Sequence, residues 1–331
     1  MRHSDSPPDS ASAPPPSPTQ RSGRWRAPWP EEDRSFLDLL RWGLSRRPAP
    51  WPVKLPVAPC APPPERVHGH SLRVTLVGHS TVLLQTGGAN LLTDPVWSER
   101  TGPFGRGPRR VRAPGLELDA LPSLDAVLVT HNHYDHLDLP TLAALARAHD
   151  PLFLVPPGDA RLVRRAAPRA RIRELHWWEQ QELAGVRVHA APARHWSARG
   201  LLDRRRSLWC SFVLEAACGP VVFFGDTGFG LGEPFGMIRE RFGPARLALL
   251  PIGAYEPRWF MAPAHMDPDE AVRAVRILEA QHALALHHGV FQLTDEAHDD
   301  PASALDQALL RHGLKPGAFA APDPGAAWTL D

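Results

Sequence analysis

Short apolar runs separated by turn residues dominate the chain after residue 66. The first three, at 72–77, 81–84 and 90–93, are divided by Gly-His-Ser and Thr-Gly-Gly, which is typical of a meander of β-strands. Further strand-like runs alternate with helical patterns, and they lie at 125–129, 152–155, 186–191, 207–215, 221–225, 247–250 and 283–286. Meandering strands followed by alternating strands and helices predict an α/β fold, with two mixed β-sheets packed together and helices on the outer faces.

Three segments between these runs have helical patterns. They are predicted from about 138 to 149, at 159–167 and at 267–280. The last has the clearest start, because Asp267 can cap it, Pro268 suits its first position and acidic residues fill its first turn. Several predicted strands end in a histidine or an aspartate, so we expect the chemistry on loops that the sheets hold in place.

The N-terminal part differs in composition. Of the 38 prolines, 16 lie in the first 64 residues. Residues 1–23 are predicted to be a disordered Pro/Ser-rich tail, since they bury too little apolar surface to offset the entropy of ordering. Residues 24–66 are predicted to be a proline-rich arm, with a short helix indicated by the apolar residues between 36 and 40. Residues 67–331 are assigned to one large domain.

Charge and cysteine content exclude several classes of function. The net charge is +1, so nothing indicates a nucleic-acid partner. The three cysteines are too scattered for a disulfide framework or a CxxC metal site, and they fit a reducing, cytoplasmic setting. The sequence has neither a signal-peptide pattern nor an uncharged apolar run long enough to span a bilayer, so neither a secretory signal nor a transmembrane helix is expected. Peripheral contact with a membrane and a homodimer stay open.

One segment carries most of the candidate chemistry: Thr130-His131-Asn132-His133-Tyr134-Asp135-His136-Leu137-Asp138. Alternate residues of an extended segment project to the same side, so His131 and His133 can point together. Asp135 and His136 lie where the chain turns toward the predicted helix. Three imidazoles and a carboxylate packed together would stay unsatisfied unless a cation joins them. The segment therefore predicts a two-metal hydrolase centre.

Four later stretches also end a hydrophobic run with a ligand-type residue. They are Ala193-Arg194-His195-Trp196, Phe224-Gly225-Asp226-Thr227-Gly228, Ala264-His265-Met266-Asp267 and Leu286-His287-His288-Gly289. Each alone is a weak signal. After residues 131–136 they complete an ordered series of HxHxDH, His, Asp and His. This order and spacing resemble the metallo-β-lactamase superfamily.

Three stretches narrow the resemblance. Residues 131–138, the Gly-Asp-Thr-Gly run at 225–228 and the Pro-Ile-Gly-Ala-Tyr-Glu-Pro-Arg-Trp-Phe-Met run at 251–261 are similar to the branch of N-acylphosphatidylethanolamine-hydrolysing phospholipase D. The HxHxDH motif identifies only the superfamily, whereas the run at 251–261 is much more specific. The resemblance extends from about residue 67 to residue 291. It implies a metallo-β-lactamase-like αββα sandwich for the hydrolase domain, residues 67–331.

The resemblance also implies two zinc ions. One ion would be bound by His131, His133 and His195, the other by Asp135, His136 and His287, and Asp226 would bridge the two. Nitrogen and oxygen donors of this kind suit zinc, although iron and manganese also accept them. The family usually has His-Trp-Gly at the last ligand, where this chain has His287-His288-Gly289. Alignment and strand alternation favour His287, and His288 is the alternative.

The implied function is zinc-dependent hydrolysis of a phospholipid-type diester, by attack of a hydroxide that the two metals share. The predicted catalytic residues are Asp135, Asp226 and His265. For His265 the resemblance implies substrate contact or proton transfer, while capping or packing beside the helix at 267 is the alternative. Competing functions are a lactonase or other ester hydrolase, a di-iron oxidoreductase, and a metal-stabilised binding protein without turnover.

The substrate contacts are predicted chiefly from aromatic residues near the ligands. They are Tyr134, Trp196, Tyr255, Trp259 and His265. An acyl-chain groove could be lined by Trp196, Tyr255, Trp259, Phe260 and Met261, and the arginine-rich loop at 106–112 could meet anionic head groups. Packing of loops and a solvated arginine face are the structural alternatives.

Overall fold

The computed structural model describes residues 16–30, 32–58 and 60–331. Its strands are β1 (Thr19–Arg21), β2 (Arg24–Arg26), β3 (Leu72–Gly78), β4 (Thr81–Thr86), β5 (Ala89–Thr93), β6 (Ala126–Leu128), β7 (Leu152–Val155), β8 (Arg171–Glu174), β9 (Gln180–Leu183), β10 (Val186–Ala191), β11 (Ser211–Ala216), β12 (Gly219–Phe223), β13 (Leu247–Pro251), β14 (His282–Leu286), β15 (Phe319–Ala320) and β16 (Ala327–Leu330). Its α-helices are α1 (Phe36–Ser45), α2 (Leu139–His149), α3 (Ala160–Ala166), α4 (Glu233–Phe242), α5 (Arg258–Met261), α6 (Pro268–Ile277) and α7 (Asp300–Arg311).

Two seven-stranded sheets form the body of the fold. The first has the order β16-β3-β4-β5-β6-β7-β8, and the second has the order β15-β14-β13-β12-β11-β10-β9. Both are mixed, because β3 to β5 and β9 to β12 pair antiparallel whereas β5 to β8 and β12 to β15 pair in parallel. The predicted pair of mixed sheets is confirmed.

Apolar side chains fill the space between the sheets and beneath the helices. The largest buried cluster combines residues of β3 and β4 in the first sheet with residues of β10 to β14 in the second, together with α6. A second cluster joins the other face of the first sheet to α2 and α3. The sheets are thus covered on both faces, as in other αββα architectures, and their strands read as nearly continuous apolar runs.

Polar residues collect at one edge of this sandwich, where strands and hairpins end. Each lies one to a few residues beyond a strand: His79 in the β3–β4 turn, Asp94 after β5, His131 after β6, His195 after β10, Asp226 after β12 and His287 after β14. The carboxyl ends of parallel strands meet at the same edge, so residues far apart in sequence converge there.

Ordered structure begins closer to the N-terminus than the composition of the chain predicts. Strand β1 lies inside the segment predicted to be a tail, while residues 1–15 of that segment lie outside the described part of the chain. Contacts on and just before the β1–β2 hairpin hold it on the domain: the Trp25 amide donates to the carbonyl of Arg205 at 2.7 Å, Arg24 donates to the carbonyl of Leu202 at 3.2 Å, and Trp178 donates from Nε1 to the carbonyl of Pro16 at 3.0 Å. Strand pairing and docking on the domain offset the entropy that is lost on ordering. A prediction from composition alone does not include these contacts.

The predicted helix of the arm is present as α1. Ser35 and Asp38 form a capping box at its start, which explains why the helix begins at Phe36. The predicted start of α6 is also present, with Asp267 and Glu270 forming a second capping box. Among the residues that the structure describes, no helix combines the length and the apolar character needed to cross a bilayer.

Candidate metal centre

The first group of candidate ligands contains three histidines and an aspartate. His131 Nε2 and His195 Nε2 lie 2.8 Å and 3.1 Å from His133 Nδ1. The Asp226 carboxylate closes the group, with Oδ2 3.8 Å from His131 Nε2 and 3.6 Å from His195 Nε2. Each of the four side chains has one candidate ligand atom that lies close to those of the other three. This is the set that the sequence assigns to one metal ion.

The second group lies beside the first. His136 Nε2 and His287 Nε2 approach Asp135 Oδ2 at 3.6 Å and 3.3 Å. Asp226 reaches this group as well, since its Oδ2 lies 3.2 Å from His136 Nε2 and its Oδ1 lies 3.1 Å from His287 Nε2. One carboxylate therefore faces both groups, which is the arrangement that a bridging ligand requires. His79 also belongs to this group, although the sequence patterns did not single it out.

Unpaired polar atoms show that the residues fit a cation. His136 Nε2, His287 Nε2 and Asp226 Oδ1 are buried and make no hydrogen bond. Buried polar atoms without partners are costly, and a divalent cation at this point would satisfy all three. The donors are imidazole nitrogens and carboxylate oxygens, which bind zinc and neighbouring transition metals.

In the first group, electrostatics favour the charged aspartate and neutral histidines. Burial would raise the pKa of Asp226, but the imidazoles of His287 and His136 hold it well below its usual range. Burial, reinforced by neighbouring imidazoles, holds the pKa of His131 well below its usual range. Burial also lowers the pKa of His133 to about 4. Aspartate in its charged form and histidine in its neutral form are the states that bind metal.

A further layer of hydrogen bonds orients the ligands. His136 Nδ1 lies 2.8 Å from Asp94 Oδ2. The same carboxylate accepts the amide of Thr130 and its hydroxyl, each at 2.7 Å. His195 Nδ1 lies 3.1 Å from the carbonyl of Ala264. Such partners fix the tautomer of a ligand histidine and direct its other nitrogen at the metal.

Glycine is required beside Asp226, at residue 225. A Cβ on Gly225 would lie 2.2 Å from Thr130 Oγ1 and 2.5 Å from Asp94 Oδ2, so any side chain would displace the pair that orients His136. Because residue 225 has no side chain, the chain that carries Asp226 can pass close to Thr130 and Asp94.

We expect Asp94→Asn to weaken metal binding. The amide cannot accept all the hydrogen bonds that the carboxylate of Asp94 accepts, so His136 loses its fixed orientation. Loss of such an outer partner typically lowers metal affinity about 10–100-fold. Competition with a chelator measures this affinity. Unchanged affinity in a folded Asp94→Asn protein would contradict the role assigned to Asp94.

The structure places His287, rather than its neighbour, in the centre. His287 is buried with Nε2 directed at Asp226, whereas His288 is absent from the candidate ligand groups of the described residues. His265 forms a third group with Asp226 and His287, and its Nδ1 is buried without a partner. Burial lowers the pKa of His265 to about 4. Helix α6 is capped by Asp267, so its start does not depend on the His265 side chain.

A largely apolar cavity of about 440 Å³ opens beside the first group. Its inner wall includes His195, Trp196 and His265. Its outer wall comes from the N-terminal arm and α5, through Trp29, Phe36, Leu39, Trp42, Phe260 and Met261. The arm is thus part of the site, a role that its proline-rich sequence does not indicate.

The predicted substrate contacts fall into two sets. Trp196 and His265 line the cavity. Tyr134 instead donates its hydroxyl to the carbonyl of Arg199 at 3.0 Å, Tyr255 is buried, and Trp259 lies under the guanidinium of Arg41. The structure does not place these three among the residues that line the cavity, and their contact with substrate stays a prediction.

Three arginines of the loop at 106–112 make contacts within the protein. Arg109 pairs with Glu99 and Arg112 pairs with Asp323. Arg110 lies over the ring of Phe291 and donates to the carbonyl of Val96 at 2.8 Å. Arg106 and Arg109 are exposed, and contact of this loop with anionic head groups stays a prediction.

Two buried residues of the site were missed in the sequence. Asp94 and His79 each stand alone after a strand, without a second ligand-type residue at a recognisable spacing. The signals that could have found them are Thr-Asp-Pro directly after a strand and Gly-His-Ser in a hairpin turn. Both patterns are typical of ordinary turns, so they gain meaning only from the fold.

Known proteins confirm the fold. A family model for the beta-lactamase superfamily domain matches residues 89–288. An isothiocyanate hydrolase from Delia radicum gut bacteria superimposes with a TM-score of 0.61 at 23% identity, covering 77% of this chain and 98% of that one. Igni18, a metallo hydrolase from Ignicoccus hospitalis, superimposes with a TM-score of 0.58 at 20% identity, covering 79% and 99%. Fold and site together define a metal-dependent hydrolase with the metallo-β-lactamase fold.

Sequence relatives refine this class. The N-acyl-phosphatidylethanolamine-hydrolyzing phospholipase D 1 of Caenorhabditis elegans is 35% identical over 269 residues, covering 78% of this chain and 75% of the worm protein. An uncharacterized Mycobacterium tuberculosis protein, Rv0906, is 38% identical over 278 residues, covering 82% and 73%. The chain belongs to the metallo-β-lactamase superfamily, as the HxHxDH series predicts.

Proposed function

We propose that the protein is a zinc-dependent phosphodiesterase that hydrolyses a phospholipid-type diester. The observation that carries the proposal is the apolar cavity that meets the candidate metal centre at His195 and His265. An acyl chain can occupy such a cavity while the diester faces the metals. The worm relative, whose name describes hydrolysis of N-acyl-phosphatidylethanolamine, supports the choice of substrate class.

The side chains of the two groups would have different roles in the reaction. Two divalent cations, when bound, supply an activated water and neutralise charge on the phosphate oxygens. Asp226 and Asp135 hold the ligand imidazoles at fixed distances and contribute the negative charge that retains the cations. His265, beside Asp226 and with a free Nδ1, is placed to contact the phosphate or the leaving oxygen. Trp196 and the arm exclude water from the acyl side.

A substrate panel tests the reaction class. Purified protein with measured zinc, iron and manganese content is assayed on N-acylphosphatidylethanolamine, bis-p-nitrophenyl phosphate and a homoserine lactone. The proposal predicts turnover of the two phosphodiesters, with the lipid preferred and zinc supporting the activity. Turnover of the lactone alone would establish the alternative, an ester hydrolase, and would overturn the proposal.

We further propose that the partner presenting the substrate is a phospholipid surface. Leu37, Leu40 and Leu44 form one stripe of α1 at helical spacing, and they are 74%, 49% and 81% exposed. Phe36 and Leu39 of the same helix line the cavity, so the exposed stripe is continuous with the entrance to the site. An apolar helix face of this kind can lie in the interface of a bilayer and admit a lipid sideways.

Replacing the three leucines with serine is expected to weaken binding to vesicles. Partial burial of three leucines in the interface can contribute several kcal/mol, so we expect the partition coefficient to fall at least about tenfold. Co-sedimentation with phosphatidylcholine–phosphatidylethanolamine vesicles measures the loss. Leu310→Ser is the control, because Leu310 is 71% exposed on helix α7 and does not line the cavity. Equal vesicle binding by the triple variant and the control would contradict a role of α1.

A further inference from the structure

His79 lies in the tight turn between β3 and β4, next to the second group of ligands. It is buried, and its backbone has a φ of 57°, a left-handed conformation that is uncommon for a residue with a side chain. Its Nε2 lies 3.1 Å from Asp135 Oδ2. The strained turn therefore directs the imidazole at a candidate metal ligand rather than at solvent.

The same turn also holds a second ligand, through the backbone. The amide of His287 donates to the carbonyl of His79 at 3.1 Å. The two rings lie 4.1 Å apart with an interplanar angle of 40°. His287 itself has a φ of 61°, so two left-handed residues from different sheets lie in direct contact beside the second group. Phe291 packs edge-on against His79 at 5.2 Å and closes the outer side.

The hydrogen bonds of the Nε2 atoms distinguish His79 from the other imidazoles of the second group. His79 Nε2 makes a hydrogen bond with Asp135 Oδ2 at 3.1 Å. His136 Nε2 and His287 Nε2 are buried and make no hydrogen bond, so these two nitrogens are available to a cation. The second ring nitrogens do not separate the two roles, because His79 Nδ1 and His287 Nδ1 are both buried without a partner.

We propose that His79 is a positioning residue of the second metal group. Its Nε2–H donates to the Asp135 carboxylate, and its carbonyl accepts from the His287 amide. One turn of the first sheet thus fixes two ligands that come from different sheets, β14 carrying one and the loop after β6 the other. Two ligands of the second group contact this turn, and in the described part of the chain no hydrogen bond joins the His79 side chain or carbonyl to His131, His133 or His195.

The proposal predicts different results for alanine and glutamine at this position. Glutamine places an amide N–H where Nε2 stands and can still donate, but it is a poor metal ligand. We measure zinc binding to the metal-free protein by competition with a chelator, without any substrate. His79→Ala should weaken one of two zinc equivalents about 10–100-fold and leave the other intact. His79→Gln should retain both equivalents within a few-fold of the wild-type affinity.

Two outcomes would overturn the proposal. Loss of one zinc in His79→Gln to the same extent as in His79→Ala would make His79 a ligand itself. Two zinc equivalents at wild-type affinity in His79→Ala would leave it without a role. His189→Ala is the matched control, since His189 is equally buried but pairs with Glu215 away from the centre. Because the readout is zinc binding, its result is independent of whether the substrate is a phospholipid.

Discussion

Asp226→Asn is expected to abolish turnover while the protein stays folded. The carboxylate of Asp226 faces both groups of ligands, and its oxygens lie 3.8 Å, 3.2 Å and 3.1 Å from the Nε2 atoms of His131, His136 and His287. Asparagine keeps the volume but offers one oxygen, and its NH₂ group would face an imidazole nitrogen. The loss should exceed the roughly 10–100-fold effect of removing an outer partner, and metal content should fall as well.

The measurement combines elemental analysis with a rate on bis-p-nitrophenyl phosphate. Thermal unfolding by circular dichroism checks that the variant is folded. Asp299→Asn serves as the control, because Asp299 is a largely exposed carboxylate at the start of α7. A folded Asp226→Asn protein with near-wild-type rate and full metal content would refute the bridging role.

The second large effect concerns the arm. We expect the double variant Phe36→Ala, Leu39→Ala to lose preference for long acyl chains. Both side chains line the cavity, and each buried methylene contributes about 0.8 kcal/mol, so shortening the wall should cost about tenfold or more in kcat/KM for a long-chain lipid. The ratio of kcat/KM between long-chain and short-chain substrates should therefore fall, while zinc content does not change.

The ratio of the two kcat/KM values distinguishes loss of the cavity wall from general damage to the fold. Damage to the fold would lower both rates and leave their ratio intact. Leu310→Ala, on an exposed face of α7, should leave the ratio unchanged. An unchanged ratio in the double variant would show that acyl chains bind elsewhere, although the metal centre would be unaffected by that result.

The arm reaches the site through contacts that composition could not predict. Trp42 stacks on Phe260 at 4.9 Å, and Arg34 donates to the carbonyl of Phe260 at 3.1 Å. Asp33 pairs with Arg205. Each contact joins residues about 170 to 230 positions apart, so local sequence patterns carry no trace of it. Strand β1 lies within the tail predicted for residues 1–23, and its docking partners are likewise far away in sequence.

The buried strands and the ligand series could be predicted from the sequence, because a local run of apolar residues leads to a side chain that can bind metal. Strands β6, β10, β12 and β14 are apolar runs that end at a histidine or aspartate. Strands β8 and β9 were missed since they are polar and mostly exposed, with sequences Arg-Ile-Arg-Glu and Gln-Gln-Glu-Leu. Such edge strands lack the apolar alternation that marks a half-buried strand.

Helices α4 and α7 were missed for a related reason. Helix α4 contains Pro234 and Gly236 near its start, both of which indicate a turn when they are read locally. Its place is set by Phe235 and Ile238, which pack into the core between sheet and helices. In the metal centre, the ligands themselves were predicted, whereas the orienting residues Asp94 and His79 follow only from the way the strands come together.

Hydrolysis of N-acylphosphatidylethanolamine by the metal-loaded wild-type protein in oxygen-18-labelled water tests the central claim most directly. Attack of water on phosphorus breaks the bond to the ethanolamine oxygen. The account therefore predicts one labelled oxygen in the phosphatidate and none in the N-acylethanolamine. Label in a released fatty-acid carboxylate, with the phosphodiester intact, would contradict it.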